Sequence, residues 1–318
     1  MMKRNPTIDA MRAVACAAVL FVHAAFPNPL GLYVAALARF AVPFFLMVSG
    51  YYAYRPAPAE SYAYARRRLR ATVRLTLCGT LLYAVSNTIR QLLYEDSPFS
   101  WLSSLLSPEG LFNFFVFNRA VFLSSVMYYL FMLIYVYLLL MLMLKTGALR
   151  FGIGAVPVLL IACVALDEWF GLPWYYSGNF LLTGLPFFLL GWRIAEKPSC
   201  ISRPERFILP GVVLTLLETT LAGEVYCYVG TLVTAVAIFL ACLKFPQANL
   251  PRGLVRFGRK CSVTVFLVHC AVRDYIHLLI PEQPPVFAYL RPLAVLAVSA
   301  MIAVMVSAMM SRKKTTLS

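Results

Sequence analysis

Apolar segments of about twenty residues follow one another along the chain, and they constrain its fold more than any other feature. A helix rises about 1.5 Å per residue, so such a segment spans the roughly 30 Å hydrocarbon core of a bilayer. Ten segments of this kind fall at about 8–26, 31–54, 70–90, 124–144, 151–168, 176–195, 206–222, 225–243, 261–280 and 286–310. Hydrophobic residues make up 61% of the chain and charged residues only 13%, which is not typical of a soluble domain. The sequence therefore predicts an all-α integral membrane protein with about ten transmembrane helices, built as one membrane domain over residues 1–318 without a separate soluble domain.

The positive charges predict the orientation of the chain. Its 28 Lys and Arg against 13 Asp and Glu give a formal charge of +15, which in a soluble protein would suggest a nucleic-acid partner. In a membrane protein, Lys and Arg instead concentrate in the cytoplasmic connections. A cytoplasmic N-terminus places most of the basic residues inside, so both termini are predicted to be cytoplasmic. We expect a multi-pass protein of the cytoplasmic (inner) membrane, in contact with membrane lipids and without nucleic acid, and we interpret residues 3–26 as a retained signal anchor.

The cysteines indicate neither a disulfide framework nor a metal site. Eight of them are scattered along the chain, mostly in apolar segments, and no two are spaced as CxxC. We therefore expect no metal.

Two ionisable residues, Arg12 and His23, share the first apolar segment. They are eleven positions apart, about three helical turns, so both project from one face with roughly 16 Å between them. Ionisable side chains at membrane depth are costly unless they face a polar interior, which favours a polar cavity along this face. The alternative is that each side chain snorkels to its own membrane surface.

The second segment adds Arg39, Pro43, Ser49 and Gly50. Arg39 lies in the predicted outer half, where a guanidinium facing lipid would be expensive, so we expect it to face the same interior as His23. Pro43 predicts a kink, and Ser49 with Gly50 allows close approach of a neighbouring helix or a ligand.

Two further polar stretches leave their roles open. The run YAYARRRLRATVRL at 62–75 is typical of a topology anchor or a contact with anionic lipid, and less often of a ligand site. In the ninth segment His269, Arg273 and His277 recur every fourth residue, with Asp274 beside them. His269 is interpreted as a packing residue or as the wall of a pocket.

Taken in order, these motifs resemble the acyltransferase-3 family of integral-membrane acyltransferases. Asp9, Arg12 and His23 match its acidic residue, arginine and, ten intervening residues later, histidine. The other matching segments are RFAVPFFLMVSGYY at 39–52, ARRRLR at 65–70, LPFFLLGW at 185–192 and FGRKCSVTVFLVHCAV at 257–272. YYLFMLIYVYLL at 128–139 departs from the family, which usually has a tryptophan or histidine ahead of the aromatic-Leu pair.

The resemblance implies transfer of an acyl group from cytoplasmic acyl-coenzyme A to a hydroxyl acceptor. Acetyl-coenzyme A is the expected donor, and a cell-envelope or surface glycan is the expected acceptor. His23 would be the catalytic base or an acylated intermediate, and Arg12 would bind donor phosphate or polarise the thioester. Arg66, Arg67 and Arg70 would hold the nucleotide phosphates. The remaining candidates for the substrate pocket are Asp9, Arg39, Ser49, Gly50, His269 and Arg273.

Two other classes of function fit the same residues. One is a transporter or exporter of a polar solute, with Arg12, His23 and Arg39 as a proton-coupled site at the midplane. The absence of an obvious inverted repeat speaks against it. The other is a non-catalytic membrane partner of a polysaccharide assembly complex.

Overall fold

The computed structural model describes residues 4–94, 102–103, 106–120, 123–166, 170–198, 201–280 and 285–315. All regular elements within these ranges are helical, which confirms the all-α prediction for the described part of the chain. The α-helices are α1 Pro6–His23, α2 Leu30–Ala38, α3 Ala41–Ala53, α4 Pro58–Tyr94, α5 Pro108–Phe117, α6 Met127–Thr146, α7 Leu149–Val164, α8 Leu185–Glu196, α9 Ile208–Ala222, α10 Val229–Lys244, α11 Arg252–Lys260, α12 Ser262–Leu279 and α13 Pro285–Thr315. Short 3-10 turns at Trp174–Tyr176 and Pro204–Phe207 and a π-helical turn at Phe180–Gly184 complete the elements.

Five helical segments in the described residues are long and apolar enough to cross a membrane. They are Pro6–His23, Leu30–Ala53, Met127–Thr146, Ser262–Leu279 and Pro285–Ser311. Shorter apolar helices occur at Leu149–Val164 and Val229–Lys244. Every predicted segment contains helix, but the count of ten membrane crossings and the cytoplasmic placement of both termini stay predictions.

The second segment is interrupted one helical turn before Pro43, where the sequence predicts a kink. Helix α2 ends at Ala38 and α3 begins at Ala41, so the break falls at Arg39 and Phe40. Pro43 has no N–H to donate to the Arg39 carbonyl oxygen four residues earlier, and its ring crowds that carbonyl, so the break lies where Pro43 favours one.

Contacts divide the chain into two compact units. One comprises residues 1–45 and 201–318, and the other comprises residues 46–200. The boundary falls inside α3, which contributes residues to both. That all of these residues form a single membrane domain stays a prediction.

In the first unit, α1 is the central helix. Asn5 caps its N-terminus by accepting a hydrogen bond from the Ile8 backbone N–H at 3.0 Å, and Pro6 follows at the position where its missing donor costs nothing. Helices α2, α10, α11, α12 and α13 all pack against α1. A buried cluster joins its apolar face to the last helices of the chain: Cys16, Leu20, Ala24, Cys261, Val265, Val295 and Ala303. The N-terminal helix is thus held mainly by C-terminal ones.

The tightest approach to α1 is made by Gly258 of α11. A Cβ atom at this position would overlap the Asp9 carbonyl oxygen and lie 2.9 Å from the Ala13 backbone nitrogen. The two helices can therefore meet at this distance only with a glycine here.

We expect Gly258→Ala to destabilise the protein, because overpacking of a close helix contact costs roughly 1–3 kcal/mol. The matched control is Gly253→Ala on the same helix, where an added Cβ would meet no atom within 4 Å. Thermal unfolding of both variants in detergent measures the difference. If both unfold at the wild-type temperature, the close approach does not contribute to stability.

In the second unit, α4 packs on α6, and α7 packs on α8. The C-terminal half of α3 meets α8 through two glycines: Gly50 lies against the Phe188 backbone and Gly191 against the Met47 backbone. The sixth predicted segment is not one continuous helix, since the Asn179 side chain accepts hydrogen bonds from Leu181 and Leu182 and starts a π-helical turn that precedes α8.

Candidate functional site

Arg12 and His23 lie on α1, which is continuous over both residues. The predicted separation of roughly 16 Å along one helix therefore applies to their Cα atoms. Both side chains are only partly buried, and each has its own set of polar neighbours in the first unit. The site thus has two ends.

The Arg12 end is organised by the carboxylate of Asp9. Asp9 is buried and accepts a hydrogen bond from Arg4 Nε at 2.9 Å, while Arg12 Nη1 lies 3.6 Å from its other oxygen. The position in the first turn of α1 suits a negative charge, because the N-terminus of a helix carries partial positive charge. Asp9 therefore orients Arg12, and the roles of the two residues in the site stay predictions.

The His23 end brings α1 and α12 together. The imidazole rings of His23 and His269 have their centroids 5.4 Å apart, with 41° between the ring planes. Arg273 donates from Nη1 to the His23 carbonyl oxygen at 3.0 Å, and its guanidinium also pairs with Asp274, with Nη2 2.6 Å from Oδ1. Three of the predicted residues are thus in direct contact: His23, His269 and Arg273.

The backbone fixes the tautomer of His269. Its Nδ1 lies 3.1 Å from the Val265 carbonyl oxygen, an atom that can only accept, so Nδ1 carries the hydrogen. In the neutral ring Nε2 then holds a lone pair. The residue is 1% exposed, and Nε2 finds no hydrogen-bond partner among the described residues. A buried and unpaired ring nitrogen beside His23 is suited to accept a proton from a bound group.

Two further arginines approach the same end of α1. Arg39 pairs with Glu224, with Nη2 2.9 Å from Oε1, and its guanidinium lies 5.7 Å from the Tyr226 ring centroid. It is also a charged neighbour of His23, but that the two face one substrate site stays a prediction. Arg291 of α13 donates from Nη2 to the Ala25 carbonyl oxygen at 3.5 Å. Arg291 was not among the residues predicted from the sequence. There was a signal for it, because an arginine at the predicted outer end of a span is not explained by the positive-inside rule.

The other predicted residues belong to the second unit. Gly50 packs against the backbone of α8. This contact explains the glycine by close helix packing rather than by the approach of a ligand. Arg66, Arg67 and Arg70 are exposed on α4. Arg68 is exposed as well, but it hydrogen-bonds the hydroxyl of the buried Tyr137, which also hydrogen-bonds Ser49. Neither Arg68 nor Tyr137 was selected from the sequence.

Apolar helices that enclose two histidines and several arginines define an α-helical membrane protein with a polar interior site. The profile of the acyltransferase-3 family, described as an acyltransferase domain, matches residues 5–311, and the chain belongs to this family of membrane acyltransferases. It is also similar to the serine/alanine racemase of Enterococcus gallinarum, with 26% identity over 242 residues that make up 68% of this chain and 33% of the racemase. The chain thus spans about a third of the length of that relative. No solved structure matches the chain.

Proposed function

We propose that the protein transfers an acyl group, with acetyl as the first candidate, from cytoplasmic acyl-coenzyme A to a hydroxyl of a cell-envelope or surface glycan. The family supports acyl transfer in a membrane. The observation that carries the proposal is the pair of histidines at one end of α1 with Arg12 toward the other end. A thioester is already activated, so the protein has to supply a base, a position for each substrate and stabilisation of the oxyanion.

His23 is the proposed base. It takes the proton of the acceptor hydroxyl as the oxygen attacks the thioester carbonyl carbon, so that a C–O bond forms and the C–S bond breaks. The proton then passes from His23 to the thiolate of coenzyme A. A covalent route with an acyl-histidine uses the same histidine in two steps. His269, with its Nδ1–H bound to a carbonyl, is proposed to hold the free lone pair of Nε2 toward the reacting groups.

The donor is proposed to be held by Arg12 together with Arg66, Arg67 and Arg70. A guanidinium binds phosphate through two parallel hydrogen bonds, and the exposed arginines of α4 are available for the nucleotide end of the donor. The buried Asp9 keeps Arg12 in a fixed orientation, which suits it for the thioester or for the phosphate nearest to it.

The proposal is tested by reconstituting the full chain in proteoliposomes with radiolabelled acetyl-coenzyme A and an envelope glycan fraction. Label in the glycan, identified by mass spectrometry as an ester, is the expected result. Solute counterflow measured in the same vesicles tests the transporter. Counterflow without any labelled ester contradicts acyl transfer.

Charge reversal at Arg66, Arg67 and Arg70 together should weaken acyl-coenzyme A binding by at least about tenfold, since charge-assisted bonds to phosphate are lost. Binding to the purified protein in detergent is the measurement. The control is Arg74→Glu with Arg150→Glu, which changes exposed basic residues of the same unit. Equal coenzyme A affinity in the triple variant and the wild type would make the run a topology anchor only.

A further inference from the structure

Three guanidinium groups surround the C-terminal end of α1. Arg273 donates to the His23 carbonyl oxygen at 3.0 Å, and Arg291 donates to the carbonyl oxygen of Ala25, two residues further on, at 3.5 Å. Arg39 is the third charged neighbour of this end. Three separate parts of the chain, near α2, in α12 and in α13, thus bring one cation each to the residues at the C-terminal end of α1.

Two of these guanidinium groups keep donors without an acceptor. Arg39 Nε and Arg291 Nε are buried and find no hydrogen-bond partner among the described residues. Arg291 also forms no salt bridge with any of the described residues. The side chain of Arg39 is only 14% exposed. Leaving a buried donor unpaired costs about 1–3 kcal/mol, and more when it is charged. Such donors are therefore expected to meet an acceptor when the protein is at work.

The charges at this end of α1 do not balance. Asp274 is engaged by Arg273, and Glu224, the partner of Arg39, is 71% exposed and thus screened by its surroundings. Among the residues that the structure describes, the two carboxylates of Asp274 and Glu224 face three guanidinium groups and two histidines. The charged groups at this end of α1 thus have a net positive charge. A further, negatively charged group would therefore be stabilised there.

We propose that the acyl acceptor is anionic, and that Arg39 and Arg291 bind a carboxylate or phosphate of the acceptor while its hydroxyl lies at His23. This inference rests on the proposed acyl transfer and names the substrate class. The planar guanidinium matches the oxygens of either anion through two parallel hydrogen bonds, which fixes the orientation of the bound molecule as well as its position. Acidic sugars and sugars linked to phosphate have this chemistry, whereas neutral glycans lack it.

The test measures binding without any donor, so that it is independent of acyl transfer. The full chain in detergent is titrated with inorganic phosphate, with glucuronate and with glucose, and thermal unfolding reports the stabilisation by each ligand. We expect phosphate, glucuronate or both to stabilise the wild type and glucose to have no effect. Stabilisation by glucuronate alone indicates a carboxylate-bearing acceptor, and stabilisation by phosphate alone indicates a phosphate-bearing one.

Substitutions of Arg291 test whether this arginine binds the anion. Arg291→Gln should weaken anion binding at least about tenfold, and Arg291→Lys should retain part of it, because it keeps the charge and loses the planar fork. The control is Arg256→Gln, which removes an exposed positive charge from α11 in the same unit. Unchanged anion affinity in Arg291→Gln, or stabilisation by glucose equal to that by glucuronate, would overturn the inference. If anion binding depends on Arg291 but no ester forms in proteoliposomes, the binding site stands and the proposed acyl transfer fails.

Discussion

His23→Ala should abolish acyl transfer while leaving a folded, membrane-inserted protein. The substitution removes the proposed proton acceptor, and general acid–base catalysis of this kind is worth about 10²–10⁴-fold in rate. Alanine is tolerated well in membrane helices, and the bonds that hold this end of α1 use the His23 carbonyl oxygen, which the variant keeps. Transfer of radiolabelled acetyl groups in proteoliposomes measures the loss, and coenzyme A binding in detergent should be unchanged.

His277→Ala is the matched control for this prediction. His277 lies on α12 eight residues after His269, but it is exposed, and it should therefore retain wild-type transfer. His269→Asn tests the role of the second, buried histidine: it should shift the pH profile of transfer because the lone pair of Nε2 is lost. Near wild-type acylation by His23→Ala would eliminate His23 as the catalytic base and with it the proposed mechanism.

Arg12→Ala should also be inactive, but through loss of donor placement. We expect coenzyme A binding to fall by at least about tenfold, in contrast to His23→Ala, because a charge-assisted pair with phosphate or the thioester oxygen is removed. Arg12→Lys should remain strongly impaired, since an ammonium keeps the charge and loses the fixed fork that Asp9 orients. Donor binding and transfer rate, measured on the same preparations, separate the two roles.

Arg4→Ala provides the control, because Arg4 shares the Asp9 carboxylate and is 51% exposed. It should change donor binding little. If Arg4→Ala and Arg12→Ala weaken binding equally, the Asp9 cluster acts as a whole on the fold of α1, and no direct contact of Arg12 with the donor needs to be assumed.

Much of the helical architecture could be predicted from the sequence, because apolar length alone selects helices in a membrane. The limits of individual helices could not. Apolar residues such as Val225 continue beyond the N-terminus of α10, where the carboxylate of Glu218 accepts hydrogen bonds from the backbone of Val229 and Gly230 and fixes the start of the helix. Contacts of this kind join residues of different helices and leave no periodic pattern in the sequence.

The candidate site divides in the same way. The relation of Arg12 to His23 follows from the spacing within one helix, and the stripe of His269 and Arg273 follows from the spacing within another. The contact between these two helices could not be predicted from such spacing, because His23 and Arg273 are 250 positions apart in the sequence. Arg291 was missed because Pro292 beside it and the apolar residues after it are typical of an ordinary end of a span.

The packing of α1 against α11, α12 and α13 has a consequence for biosynthesis. The ribosome makes α1 well before these partners, so the His23 end cannot be completed until the chain has grown past Arg291. During synthesis Asp9, Arg12 and His23 must reside in the membrane or in the insertion machinery without most of the contacts that later surround them. Contacts between residues so distant in sequence form slowly. A nascent chain released before α12 therefore contains the signature residues of the family but neither the histidine pair nor the arginines of the last two helices.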